Sequence, residues 1–270
     1  MDIIQSFIEA VEKVKRKKPL IENITNNVTI NDCANVTLAI GASPIMADAH
    51  EEVEDVVAIS SAVVLNMGIL TPYTVESMLI AGKKANELGI PVVFDPVGAG
   101  ATPYRNKTAE MIISQVKLAV IRGNMSEIKF LNGMKVKTKG VDSVVDESDG
   151  ASVAREFAVK YNLVAAVTGK IDYISDGKRV CIIKNGHEML SDVTGTGCMA
   201  TALCGAFCGA ESDYFIAALS AVATMGIAGE LAKKALRDGD GIGTFRVRLF
   251  DSIYNLDEKG IRKEGKLSIV

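Results

Sequence analysis

The sequence has no tryptophan, and aromatic residues make up only 5% of its 270 positions. Base-stacking platforms for single-stranded nucleic acid depend on such rings. The formal net charge is −3, so the chain also lacks the basic face of a duplex-binding protein. Histidine occurs only as His50 and His187, and the five cysteines (Cys33, Cys181, Cys198, Cys204, Cys208) include no CxxC pair. That argues against a zinc cluster. An odd cysteine count in a chain this long argues against a disulfide scaffold and for reduced thiols. No apolar run is read as reaching the ~18 residues that a membrane span needs. The helical spacing of Ile4, Phe7, Ile8, Val11 and Val14 is not that of a signal-peptide core. These absences predict a cytoplasmic protein with no nucleic-acid or membrane partner. No segment has the phosphate-loop spacing GxxxxGK(S/T), because Gly169-Lys170 lacks the earlier glycine, and no GxGxxG follows the first strand. Classical P-loop and dinucleotide-binding folds are therefore disfavoured.

What is present is a chain that is 48% hydrophobic and long enough to bury roughly three quarters of its unfolded surface. Leu20–Ile24, Ser43–Met46, Ala62–Asn66, Pro91–Asp95, Leu118–Arg122 and Leu163–Thr168 read as strands. Ile30–Ile40, Glu51–Ser60, Thr74–Leu88, Tyr104–Val116 and Ala151–Tyr161 read as helices between them. Val- and Ile-rich strands separated by helices predict an α/β fold, with a mostly parallel sheet flanked by helices. The pattern then changes. Ile171–Ser175 and Lys178–Lys184 flank Asp176-Gly177 as a hairpin. A short run, His187–Leu190, follows. Thr196–Cys208, Tyr214–Leu236 and Gly243–Leu256 read as helices. Residues 135–150 are polar and read as a helix-bearing surface excursion. With no linker, repeat or low-complexity tract, residues 1–270 are expected to form one domain.

In open α/β sheets, ligands bind beyond the carboxyl ends of the parallel strands. Five strand ends there carry polar groups or glycine: Met46-Ala47-Asp48, Asn66-Met67-Gly68, Asp95-Pro96-Val97-Gly98, Arg122-Gly123-Asn124 and Thr168-Gly169-Lys170. Asp95 can reach a hydrated Mg²⁺, with Pro96 stiffening its turn. Asn124 can cap the next helix, and Glu127 completes a capping box. Glu127 is also a carboxylate placed to hold metal-bound water. Arg122 offers a bidentate donor for phosphate oxygens, or one half of an ion pair. The segment Ser191–Met199 adds the turn Gly195-Thr196-Gly197 at the start of a small-residue helix. Such a turn aims free backbone amides at one point and can cradle a phosphate or an oxyanion. Cys198 stands at its mouth. Amides and Arg for phosphates, carboxylates for Mg²⁺ and a group beside an acceptor hydroxyl are the parts of phosphoryl transfer.

The order Asn-x-x-Glu, then Asp-x-x-Gly-x-Gly-Cys, resembles the ribokinase-like superfamily of small-molecule kinases. Within it the chain resembles the hydroxyethylthiazole kinase family of thiamine salvage. The motifs are Ile24-Thr25-Asn26-Asn27-Val28-Thr29-Ile30-Asn31, Ala34-Asn35, Gly41-Ala42-Ser43-Pro44-Ile45-Met46, Asp95-Pro96-Val97-Gly98-Ala99, Arg122-Gly123-Asn124-x-x-Glu127 and Asp192–Cys198. They span most of the chain. The resemblance implies a three-layer α/β/α ribokinase-like fold. It implies transfer of the ATP γ-phosphate to the primary hydroxyl of 4-methyl-5-(2-hydroxyethyl)thiazole, with Mg²⁺. It further implies a homotrimer with the thiazole site at subunit interfaces. By motif position, Met46, Gly195, Gly68 and Asn26 would bind the substrate, Asn26 by reaching a neighbouring subunit. Arg122 and Thr168 would contact ATP. Asp95 and Glu127 would sit near the metal, and Gly195, Thr196 and Gly197 would form the anion hole. Cys198 would hold the catalytic position.

Most of the superfamily carries aspartate where Cys198 stands. A thiol has a pKa of about 8.5, lowered at helix N-termini, yet triphosphate charge opposes its ionisation. Cys198 is therefore expected to position the hydroxyl and assist proton loss modestly, while the turn amides and Mg²⁺ contribute more. Three other readings compete: a hydroxymethylpyrimidine kinase, a nucleotide-driven dehydratase of hydrated nicotinamide nucleotides, and a non-catalytic nucleotide binder. The Asn-rich N-terminal segment favours the thiazole alcohol over the first. The dehydratase would keep aspartate at position 198. The full set Asp95, Glu127, Arg122 and Cys198 opposes the third.

Overall fold

The computed structural model describes residues 2–134 and 149–270. The first half contains α1 (Ile3–Lys17), β1 (Leu20–Ile24), α2 (Ile30–Ile40), β2 (Ser43–Ile45), α3 (Val53–Ile59), β3 (Ala62–Asn66), α4 (Pro72–Leu88), β4 (Val92–Asp95) and α5 (Pro103–Gln115). Then come β5 (Val120–Asn124), α6 (Met125–Leu131), α7 (Gly150–Tyr161), β6 (Val164–Thr168), β7 (Asp172–Ser175) and β8 (Val180–Ile183). A 3-10 turn at Glu188–Leu190 precedes α8 (Thr196–Ala210), α9 (Tyr214–Lys234), α10 (Ile242–Tyr254), α11 (Glu258–Glu264) and β9 (Leu267–Ile269). The surface excursion read over 135–150 lies almost wholly outside the described residues.

All strands among the described residues join one sheet in the order β2-β1-β3-β4-β5-β6-β7-β8-β9. Pairings from β2 through β6 are parallel, and those from β6 through β9 are antiparallel. The central parallel strands are largely apolar because both faces are covered, as in β3, where every residue is buried. Val64, Val93 and Val120 point into a cluster with α1, α2, α8, α9 and α10. Val63, Leu65, Phe94 and Ile121 point to the other side, against α3, α4, α5, α6 and α7. The result is the three-layer arrangement expected.

Some elements differ from the sequence reading. The short run His187–Leu190 holds a 3-10 turn over Glu188–Leu190, capped by the His187 side chain, whose Nδ1 accepts from the Met189 amide. α11 and β9 were not read from the sequence. β9 is three residues long and pairs at the sheet edge through Ser268 opposite Ile182, too short to show a period. α9 is a helix, as read over Tyr214–Leu236, but more apolar than that reading noted. Its 21 residues have a mean hydropathy of 1.7 over their most apolar window, enough by length and composition to cross a membrane. That window is 94% buried inside the molecule, because α9 lies between α8 and α10 in the helical layer. Ser220, Thr224 and Glu230 interrupt the run, and Glu230 is held by Lys266 and Asn185. The small residues of α8 have a similar cause: a Cβ on Gly205 would come within 2.4 Å of Val64.

Glu22 is a buried acid on β1, fully shielded from solvent. Its Oε1 accepts from the Ala47 amide at 3.0 Å, and its Oε2 has no partner. Burial, aided by the charges of Asp48 and Glu52, raises its pKa from 4.5 to about 8. The folded state therefore holds this proton to higher pH than the unfolded chain. Its contribution to stability is complete below about pH 4.5 and is lost as pH rises through about 8. Glu127 acts in the same direction, with a pKa raised to about 7. Glu22→Gln is expected to raise Tm at pH 8.5 relative to wild type and to flatten the fall in Tm between pH 5 and pH 8.5. Thermal melts across that range check it.

Candidate active site

The carboxyl ends of the parallel strands bring most of the expected residues to one edge. β3 and β4 are in register so that Asn66 stands opposite Asp95. β5 and β6 place Asn124 opposite Thr168, with Arg122 two residues back. The glycine turn closes over this edge. Gly195 adopts a left-handed φ of +88°, and α8 begins at Thr196. The helix's first-turn amides have no intrahelical acceptor. Arg122 stands directly against them: a Cβ on Gly197 would lie 2.8 Å from its Nη1.

Asp95 is the centre of the cluster and is almost completely buried. Its Oδ2 accepts from Thr201 Oγ1 at 2.6 Å and Asn66 Nδ2 at 3.0 Å, and lies 3.9 Å from Arg122 Nη1. Its Oδ1 is buried and has no hydrogen-bond partner. Burial raises the Asp95 pKa above the usual carboxylate range, and Arg122, Thr201 and Asn66 oppose that rise. Arg122 thus forms the ion pair that the sequence left open, while its Nε finds no partner.

Glu127 forms the capping box expected of it. Asn124 Oδ1 accepts from the Glu127 amide at 2.9 Å, and Glu127 Oε2 accepts from the Asn124 amide at 2.8 Å. Its Oε1 also accepts from the Gly98 amide at 2.7 Å, which ties the Asp95–Gly98 turn to α6. Burial first, then the charge of Asp95, lifts its pKa to about 7. Two buried acids, one raising the other's proton affinity and itself carrying a bare oxygen, form a place where a divalent cation would be welcome. Among the described residues no three His, Cys, Asp or Glu side chains converge on a metal position. The donor set therefore fits a Mg²⁺ that keeps its waters and is held jointly with nucleotide phosphates, as is usual for that ion.

On the other side of Asp95 lies the thiol. Cys198 Sγ accepts from Asn26 Nδ2 at 3.4 Å, and the same nitrogen donates to Asn66 Oδ1 at 3.0 Å. Burial raises the Cys198 pKa, and the charge of Asp95 raises it further. Gly68 abuts Asn26 so closely that a Cβ there would sit 2.5 Å from Nδ2. Gly195 abuts Thr29, whose hydroxyl accepts from the Cys33 thiol. Asn26 itself is buried within the chain. Its side chain is consumed within its own chain by Cys198, Asn66 and the Thr29 amide.

Not every expected residue joins the cluster. Met46 follows β2 at the flank of the edge and packs against the helical core. Thr168 stands at the opposite flank, its hydroxyl donating to the Gly123 carbonyl at 3.3 Å. The Thr196 hydroxyl turns away to the Leu190 carbonyl, so this residue offers the anion hole its amide only. Asp192 is exposed. Several contributors were missed by the sequence reading. Thr201 is hidden in an apolar helix, one turn after Gly197, and that spacing is its only signal. Arg105 donates to the carbonyls of Met67, Val97 and Gly68 and clamps the loops after β3 and β4. A depression of about 340 Å³ lined by Ile90, Leu118, Leu163 and Tyr214 opens at the amino ends of the strands, away from this chemistry.

The packing of Gly197 on Arg122 gives a direct test. Gly197→Ala meets only the mobile end of a long side chain, so the fold is expected to persist with Tm near wild type. The guanidinium must move off the turn, and a lost charge-assisted contact of about 1.5–3 kcal/mol corresponds to roughly tenfold to hundredfold weaker nucleotide binding. Calorimetric titration with ATP measures it.

A mostly parallel three-layer sheet with a glycine turn over its carboxyl edge is the ribokinase-like fold. A pyridoxal kinase from Staphylococcus aureus shares the fold, with a TM-score of 0.64 at 14% identity over 94% of this chain and 98% of its own. The profile of the hydroxyethylthiazole kinase family matches residues 11–259, and the chain belongs to that family. A Clostridium botulinum relative named hydroxyethylthiazole kinase is 52% identical, with 100% of this chain and 98% of the relative covered. The solved structure of a hydroxyethylthiazole kinase from Pyrococcus horikoshii OT3 superposes with a TM-score of 0.89 at 41% identity, covering 98% of this chain and 99% of that one.

Proposed function

We propose that this chain transfers the γ-phosphoryl group of ATP to the primary hydroxyl of 4-methyl-5-(2-hydroxyethyl)thiazole in thiamine salvage. One observation carries the assignment of roles. A continuous hydrogen-bonded line runs from the Cys198 thiol through Asn26 and Asn66 to the Asp95 carboxylate, beside Arg122 and the glycine turn. It puts an acceptor-side group and a phosphate-side group within one rigid cluster, which is what phosphoryl transfer requires of a protein.

Arg122 and the amides of Thr196 and Gly197 bind and orient the transferring phosphate, with Thr168 at the nucleotide flank. Asp95 and Glu127 would hold Mg²⁺ through its waters, and the ion when bound neutralises charge on the phosphates. Gly68, Asn26, Gly195 and Met46 border the alcohol. Cys198 stays a thiol at neutral pH, because both burial and Asp95 oppose its ionisation. It positions the hydroxyl and contributes little as a base. The stabilisation of the transition state comes chiefly from Arg122 and the turn amides.

The described residues support a single kinase unit built on one sheet. A trimer is supported by exposed apolar side chains on the adjoining helices α2 and α10: Leu38, Ile242, Val247 and Tyr254. Copies of the chain that covered this face would bury them. The five free cysteines fit a reducing compartment, and we place the enzyme in the cytoplasm.

The assay supplies ATP and Mg²⁺ with the thiazole alcohol, the pyrimidine alcohol or a hydrated nicotinamide nucleotide, and follows products by mass. Phosphorylated thiazole alcohol is expected. Turnover of another substrate in its place overturns the assignment.

A further inference from the structure

We propose that Asn66 is a positioning residue that fixes the Asp95 carboxylate and couples it to the thiol end of the site. The inference rests on the reading that Asp95 serves the metal–nucleotide side.

Asn66 is 1% exposed and has every polar atom committed in one direction. Its Nδ2 donates to Asp95 Oδ2 at 3.0 Å. Its Oδ1 accepts from Asn26 Nδ2 at 3.0 Å and from the Gly68 amide at 2.9 Å. The side chain cannot flip its amide without placing donors against donors on one side and an oxygen against a carboxylate on the other. Its orientation is therefore set by its neighbours, and it sets Asp95 in turn. Thr201 supplies the second constraint, donating to the same oxygen at 2.6 Å.

The consequence is a carboxylate with two unlike oxygens. Oδ2 is saturated by Asn66 and Thr201 and faces Arg122, while Oδ1 is buried and unpartnered. A buried acceptor left bare is costly, and only a structure that over-determines the other oxygen would keep it so. The Asn66 amide and the Thr201 hydroxyl therefore reserve Oδ1 for a group that arrives with the nucleotide. Asn66 is also the hinge of the line to Cys198, since Asn26 donates to both from one nitrogen. A displacement at the carboxylate is passed to the thiol, and the reverse.

A double-mutant cycle with Asp95→Asn separates this role from simple packing. Asn66→Leu is expected to lower kcat by roughly tenfold to hundredfold, with KM for the alcohol changed less. In the Asp95→Asn background the same change is expected to cost less than about twofold. Asn66→Ser, which removes less volume contrast, is the second variant should leucine unfold the protein. Thr201→Val is expected to lower kcat as Asn66→Leu does, and Thr201→Ser, which keeps the hydroxyl donor, to lose less. A readout apart from turnover is the affinity of Mn²⁺ for the enzyme–ADP complex by electron paramagnetic resonance. Asn66→Leu is expected to weaken it about tenfold, with no further loss in the double variant. Equal costs of Asn66→Leu in both backgrounds, or Mn²⁺ affinity at the wild-type level, overturn the inference. Failure of wild type to phosphorylate the thiazole alcohol would instead count against the substrate assignment, and the Mn²⁺ cycle would still judge Asn66.

Discussion

Asp95→Asn is expected to lower kcat by about 10²- to 10³-fold, the usual scale for losing one preorganised electrostatic group, with a small change in Tm. The amide keeps the shape of the side chain, and its oxygen can still accept from Thr201 and Asn66 in the place of Oδ2. The other end then becomes a donor where Oδ1 now offers a bare acceptor. A cation or its bound water would meet N–H instead of lone pairs. Cys198→Ala is expected to cost less, about tenfold, at or below the low end of proton-transfer contributions. The reason is the thiol's raised pKa, which leaves little thiolate to act as base. Single-turnover rates at saturating ATP compare the two. Equal losses would show that Cys198 carries more of the reaction than its surroundings allow.

Gly195→Ala is expected to lower kcat/KM for the alcohol by about 10²-fold and to reduce Tm by several degrees. The residue has φ +88°, where a Cβ costs roughly 1–2 kcal/mol by itself. The added carbon would also stand 2.5 Å from Thr29 Cγ2. Thr29 is buried, and its amide is held by Asn26, so it cannot retreat without dragging the Cys198 partner with it. Thr29→Ser removes the clashing methyl. Adding it to Gly195→Ala is expected to restore part of the activity and little of the backbone cost. Steady-state kinetics and melting curves on the single and double variants test both halves.

The parallel half of the fold was legible because its signals are local and repeated. Most strands from β1 to β6 are short Val- or Ile-rich runs, and each polar strand end follows directly in the chain. Asp95, Arg122 and Glu127 could be singled out for that reason, and the Asn124–Glu127 capping box needed only a spacing of three. The hairpin of β7 and β8 was equally plain from Asp176-Gly177. α11 and β9 were not, since seven and three residues are too few to establish a period. α9 was read as a helix and is one, but where it sits was not legible. A helix that is apolar on every side has no stripe to show what it faces, and only its neighbours α8 and α10 reveal a core helix.

By itself, the sequence determined the α/β class, the family motifs and the chemical kinds of group at the carboxyl edge. These depend on residue type and short spacing. The tertiary structure alone decided which of those groups meet. Thr201 and Asn66 lie 106 and 29 residues from the carboxylate they share. Nothing in the chain marks a buried hydroxyl or amide as a partner of Asp95. The same holds for Asn26, whose place beside Cys198 spans 172 residues. Such contacts form only when the sheet register and the helix docking bring distant strand ends together, and burial then gives each hydrogen bond its force.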